Sequence, residues 1–274
     1  MSVGISIIWI TTGVLNWAHG ALVTLGGYVT LYFYTSQMLG SNFIAAFLLN
    51  IIFLFFVGIL LELAIFRTMR GQPEWDLRSV FATLGIGMAI PSLLVYLFNP
   101  RAKGIPPIVS GSIRLIDDFV IDWQKSIILV VAVSSLMFLS VFLKKSKLGM
   151  AMTAMSQDMT GAQIVGINVN VVFAYALGIG IAMAGITGAL LGSIYYVSPV
   201  LGDEPLFKGF IVLVFGGMGS VKGAFYASFI LGITEALIQQ YVGSFWVLPV
   251  LFIFMIGVLI LRPHGIAGTK EAVK

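Results

Sequence analysis

No cysteine occurs among the 274 residues, which excludes thiolate metal centres, iron–sulfur ligation and structural disulfides and leaves the redox compartment open. Charge is scarce too. Asp, Glu, Lys and Arg make up 9% of the chain, against roughly a quarter of an ordinary soluble domain. The two histidines, His19 and His264, stand at opposite ends of the sequence with no metal-ligand spacing around either, so neither a metal site nor a catalytic constellation is expected. No glycine is followed by lysine; without a GxxxxGK[ST] loop, nucleotide binding within this chain is rejected and no cofactor is implied. The first charged residue is Glu62, so the basic stretch of a cleaved secretory signal is missing and the first segment is expected to stay in the mature protein.

What the chain has instead is apolar length. Hydrophobic residues make up 59% and the mean hydropathy is +1.05, more than a water-soluble fold could bury. Several continuous runs are long enough to cross a hydrocarbon layer as helices, and the alternating ten-residue pattern of an outer-membrane barrel is absent. An all-α, polytopic integral membrane protein follows, with membrane lipid as its surroundings and residues 1–274 as one transmembrane domain. Apolar segments fall near 3–15, 21–35, 43–66, 80–98, 126–143, 171–195, 206–217, 222–241 and 245–261, giving about eight crossings, with 3–15 and 206–217 short enough to be half-helices. The formal charge of +4 resides mostly in short connections, which suits headgroups and argues against a nucleic-acid partner.

Basic residues set the expected orientation. Arg67, Arg70 and Arg78 in one loop, Lys144, Lys145 and Lys147 in a second, and Arg262, Lys270 and Lys274 in the tail are all expected in the cytoplasm, with 99–125 outside. That parity requires 206–217 to cross rather than re-enter. Gly188 with Gly192, and Gly185 with Ala189, are small-xxx-small pairs that predict close helix packing, and Pro91 and Pro249 predict kinks.

Three polar interruptions carry the functional information. Asn16-Trp17-Ala18-His19-Gly20 lies between apolar runs; an amide and an imidazole at membrane depth need partners or water, so they serve either a helix-cap network or a pathway lining. The stretch 144–169 is too polar to span. Asp158 is placed to cap a helix of about two turns starting at Met159, and Gly166 to close it in the left-handed conformation. Met159, Ala162 and Val165 then form an apolar face that either docks in a partner's groove or lies on the membrane surface. In Gly216-Gly217-Met218-Gly219-Ser220-Val221-Lys222-Gly223 the glycines predict a tight turn between two crossings. Glu62 and Glu235 have no obvious charged partner within their segments; interfacial solvation is the expectation for both, with a cation site of an ion-coupled carrier as the alternative.

These residues together resemble the permeases of bacterial ABC importers for branched-chain amino acids, the LivH-like subunits, over essentially the whole chain. Gly13-Val14-Leu15-Asn16-Trp17-Ala18-His19-Gly20 resembles the family's Asn-Phe-Ala-His-Gly segment with Trp17 in place of phenylalanine. Leu148 to Val169, ending in Gly166-Ile167-Asn168, resembles its cytoplasmic loop. Phe-Gly-Gly-Met-Gly-Ser at 215–220, Leu-Gly-Ile-Thr-Glu-Ala-Leu at 231–237 and Arg262-Pro263-His264-Gly265-Ile266 are similar to its late helices and end. Family members have about a further helix-length before the position matching Met1. The resemblance implies a non-enzymatic transport subunit of the bacterial cytoplasmic membrane, with two cytoplasmic ATP-binding subunits, a second, LivM-like permease and an extracytoplasmic substrate-binding protein as partners. It also implies a coupling loop at about 144–170 with Gly149, Asp158, Ala162, Gly166, Ile167 and Asn168, and a pathway with Asn16, His19, Gly20 and Glu235. A urea or short-amide permease and an ion-coupled secondary carrier are the alternatives.

Overall fold

Apolar helices in lipid have no driving force to separate from lipid into a core, so what holds them together is close backbone approach and a few interhelical polar contacts. The computed structural model describes residues 1–36, 42–106, 109, 111–116, 119–218, 220–262 and 265–266. Gly219, Pro263, His264, Lys270 and Lys274 lie outside the described residues. The elements run α1 (Ser2–Thr12), α2 (His19–Thr35), α3 (Phe43–Leu61), α4 (Arg67–Met69), α5 (Trp75–Phe98), β1 (Ser112–Ile116), β2 (Phe119–Asp122), α6 (Trp123–Lys145), α7 (Lys147–Gln157), α8 (Met159–Ile164), α9 (Val169–Ile194), α10 (Asp203–Gly216), α11 (Val221–Tyr241) and α12 (Val247–Leu261).

The fold is all-α apart from the antiparallel pair β1–β2, which lies in the loop between α5 and α6. The stretches Phe43–Met69, Trp75–Phe98, Trp123–Lys145, Val169–Ile194 and Ser244–Leu261 are long and apolar enough to cross a membrane. The expected count of about eight adds α2, α10 and α11, of 17, 14 and 21 residues. α1, at 11 residues, is one of the two short segments read from the sequence. The first of the five spans includes a π-helical turn, Glu62–Phe66, that joins α3 to α4. Pro91 lies inside α5, but Pro249 is the third residue of α12, where its missing N–H would be unpaired in any case; the expected second kink is an N-terminal proline.

α9 is the hub, packed against α1, α2 and α3 at once. Its glycines meet those neighbours on successive faces. A Cβ at Gly58 of α3 would lie 2.7 Å from Gly178 Cα, one at Gly4 of α1 2.8 Å from Gly180 O, and one at Gly26 of α2 2.7 Å from Gly185 Cα. Gly188 sits tighter still, where a Cβ would run into Val23 O and lie 2.7 Å from Gly27 N. The small-residue pairs therefore mark a seam with several helices rather than with one. Asn50 of α3 crosses that seam, its Nδ2 donating to Gly185 O at 2.9 Å.

The basic segments gather at one end. Arg70 Nη1 donates to Asn170 Oδ1 at 2.7 Å, fastening the first basic loop to the start of α9, and Ile266 N donates to Phe215 O at 2.9 Å, bringing the C-terminal segment beside the end of α10. The end of α10, the start of α11 and the C-terminal segment therefore lie together, Gly216 against Gly223 and Ile266 against Phe215. At the opposite end Lys103 and Val197 exchange backbone hydrogen bonds of 2.9 and 2.8 Å, and Gln124 Nε2 donates to Ser193 O at 2.6 Å. Loop 99–125 and the end of α9 share that end.

Candidate functional site

The polar stretch after α6 folds into two helices and a stop. α6 turns a sharp corner at Ser146, whose hydroxyl accepts from Gly149 N at 2.9 Å to cap α7. Gly149 is buried there, and a side chain would run into Leu143, 2.5 Å from its Cα, so this glycine shapes the corner and offers no outward contact. α7, a separate helix beyond what the sequence led us to expect, buries Met152 and Met155 in the same cluster as Val172 and Phe173 of α9.

α8 is closed at both ends by its own sequence. Asp158 Oδ1 accepts from Thr160 N at 2.9 Å. At the other end Gly166, with φ of +85°, donates to Gln163 O and Ile167 N donates to Ala162 O, both at 3.0 Å, the paired bonds of a Schellman stop that needs a residue in the left-handed region. Asn168 then caps α9, accepting from Val171 N at 3.3 Å. The whole unit hangs from the first turn of the hub helix.

Which face α8 presents differs from expectation. Ala162 is buried against the protein, and Ile167 packs partly buried beside it, so Met159, Ala162 and Val165 do not share an outward stripe. Ile164 and Val165 do, at 81% and 76% exposed. Two bare aliphatic side chains on a rigid, doubly capped turn form a knob suited to a groove.

At the 13–20 break, Gly13 ends α1 with φ of +71°. Asn16 is buried and its Oδ1 accepts from Ala18 N at 3.0 Å, organising the turn into α2. His19, fully buried, lies beside Gly4, and neither ring nitrogen has a partner among the described residues. Gly20 permits α2 to meet the turn before α10, where a Cβ would come 2.7 Å from Gly202 O; Gly202 N in turn donates to Thr24 Oγ1 at 2.9 Å. Trp17 stacks edge-on against Phe210 of α10, centroids 5.0 Å apart. The structure brings Asn16, His19 and Gly20 together with α10, and Glu235 meets α10 through Lys208.

Neither acidic residue is merely solvated at an interface. Glu62 is fully buried in the π-helical turn and pairs with Arg70, whose guanidinium also lies 3.8 Å from the Phe173 ring centroid. Glu235 of α11 accepts from Lys208 Nζ of α10 at 2.5 Å, and Lys208 also reaches Glu204 at 2.6 Å. Sequence reasoning gave no role to Lys208, because Glu235 is 27 residues away on another helix; its i,i+4 spacing from Glu204 was the available signal. After Gly216, Ser220 N donates to Gly217 O at 3.0 Å, and Ser220 Oγ accepts from Gly223 N at 3.0 Å to start α11.

The sequence profile of the family described as branched-chain amino acid transport system permease component matches residues 1–261. The chain is 28% identical over 285 residues to the high-affinity branched-chain amino acid transport system permease protein BraD of Pseudomonas aeruginosa, covering 100% of this chain and 92% of that one. The same values hold for LivH of Escherichia coli strain K12. A probable branched-chain amino acid transport permease protein LivH of Methanocaldococcus jannaschii is 27% identical over 282 residues, covering 98% of this chain and 87% of that one. No solved structure matches the chain.

Proposed function

Because the chain belongs to the family of branched-chain amino acid transport system permease components, we propose that it is half of the membrane pathway of an ATP-driven importer of aliphatic amino acids. It lies in a bacterial cytoplasmic membrane as a single multi-pass domain. A second, LivM-like permease completes the pathway, an extracytoplasmic binding protein delivers the solute, and two cytoplasmic subunits bind and hydrolyse ATP. This chain performs no covalent chemistry.

The observation that carries the reading is α8: a short helix fixed at both ends by Asp158 and by Gly166-Ile167-Asn168, projecting Ile164 and Val165 from the end where the basic segments gather. Ala162 anchors the helix inward and Gly149 sets the α6–α7 corner, so a push on the knob is delivered to the base of α9. α9 contacts α1, α2 and α3, so a tilt at its base moves the Asn16–Gly20 break and with it the pathway. Glu235 belongs to that pathway through its contact with α10.

Co-purification tests the docking. The ATP-binding subunits are expected to co-purify with the wild-type chain from membranes and to be lost with Ile164→Asp, while the variant chain itself accumulates normally because position 164 is exposed. Undiminished co-purification with Ile164→Asp contradicts the docking role of α8.

A further inference from the structure

A charged cluster breaks into an otherwise apolar surface where α10 meets α11. Lys208 Nζ lies 2.6 Å from Glu204 and 2.5 Å from Glu235, and Gln239 Nε2 donates to Glu235 Oε1 at 3.0 Å. The cluster is not sealed inside the chain: the Lys208, Glu235 and Glu204 side chains are 24%, 25% and 60% exposed. Leu231 and Ile238, one helical turn to either side of Glu235 on α11, are apolar, as is the partly exposed Phe207 next to Lys208, while Ile230, Ile233 and Leu237 face outward from the opposite side of α11. Glu235 is the fifteenth residue of the 21 in α11, so at 1.5 Å per residue it stands about 20 Å from Val221 and about 9 Å from Tyr241, inside a hydrocarbon layer of about 30 Å. A partly exposed ion cluster at that depth is costly against lipid, and such residues face water or another protein surface instead. The two acids and one lysine leave a net negative charge, with an ammonium and two carboxylates in reach of one another.

We propose that Glu204, Lys208 and Glu235 form a binding station for the zwitterionic head of an amino acid, in the wall of the pathway that this chain shares with the second permease. The carboxylates take the substrate's ammonium group, Lys208 takes its carboxylate, and the apolar residues beside them tolerate an aliphatic side chain. This rests on the importer reading and assigns it a substrate contact at the α10–α11 face.

The absence of cysteine makes the test direct. Glu235→Cys, in the chain assembled with its partner subunits in membranes, is expected to react with a charged, membrane-impermeant methanethiosulfonate reagent and to be protected by leucine with the binding protein. Ile233→Cys, on the opposite side of α11, is expected to stay unlabelled. An unlabelled Glu235→Cys, or equal labelling at both positions, overturns the station. Lys208→Met is expected to raise the KM for leucine uptake about tenfold, the loss of one charge-assisted contact, with assembly unchanged; loss of assembled complex at unchanged KM would show a brace instead. Labelling reads water access whether or not the complex transports. Absence of ATP-driven uptake by the wild-type complex therefore counts against the importer reading, and absence of labelling against the station.

Discussion

Arg70 holds together parts of the chain that are far apart in sequence. Its guanidinium pairs with Glu62 in the π-helical turn, donates to Asn170 and lies over Phe173, so one side chain fastens the α3–α4 region to the start of α9. Removing the cation leaves a fully buried carboxylate without its partner, a change that typically costs about 3–5 kcal/mol. Arg70→Ala is therefore expected to lower the melting temperature of the detergent-purified chain sharply, and adding Glu62→Gln to restore part of it; equal melting of Arg70→Ala and wild type contradicts the pairing. Gly26 shows the opposite constraint, an absent side chain, since Gly185 Cα stands where a Cβ would press. Gly26→Val is expected to destabilise by about 1–3 kcal/mol in the same measurement, the usual cost of overpacking.

At the scale of elements, α8 depends on its ends. A valine at position 166 must adopt the left-handed region at a cost of about 1–2 kcal/mol, comparable to the stability of a single short turn. Gly166→Val is expected to leave the spans folded and to make the α8 segment cleavable by added protease; unchanged protease resistance contradicts the stop. The caps of α8 were legible in the sequence because Asp158 and Gly166 act on their immediate neighbours. The outward face was not, since a stripe at three-residue spacing ignores the inward pull of the cluster containing Met152 and Phe173, which takes Ala162. The long apolar runs and the small pairs of α9 were legible for the same local reason. Glu62 with Arg70 spans eight residues of one segment and depends on the π-helical turn between them, which spacing alone does not announce; Glu235 with Lys208 depends on how α10 and α11 come together, and nothing adjacent in the sequence records that.

At the scale of the molecule, one end gathers the basic segments and the α8 knob, the other carries the β1–β2 hairpin, and α9 runs between them in contact with α1, α2 and α3. The number of crossings was harder to read than the class. α10 has 14 residues, about 21 Å of helix, and brings the chain back toward α8 only together with the turn at 195–202 that meets Gly20. On the proposed function, force taken up by α8 at one end is passed along the glycine seam of α9. Uptake by proteoliposomes containing this chain, its second permease and its ATP-binding subunits tests that most directly. With the binding protein outside and ATP inside, labelled leucine is expected to accumulate, to be displaced by unlabelled valine and not by urea, and to be indifferent to an imposed proton or sodium gradient; accumulation driven by such a gradient without ATP would contradict the account.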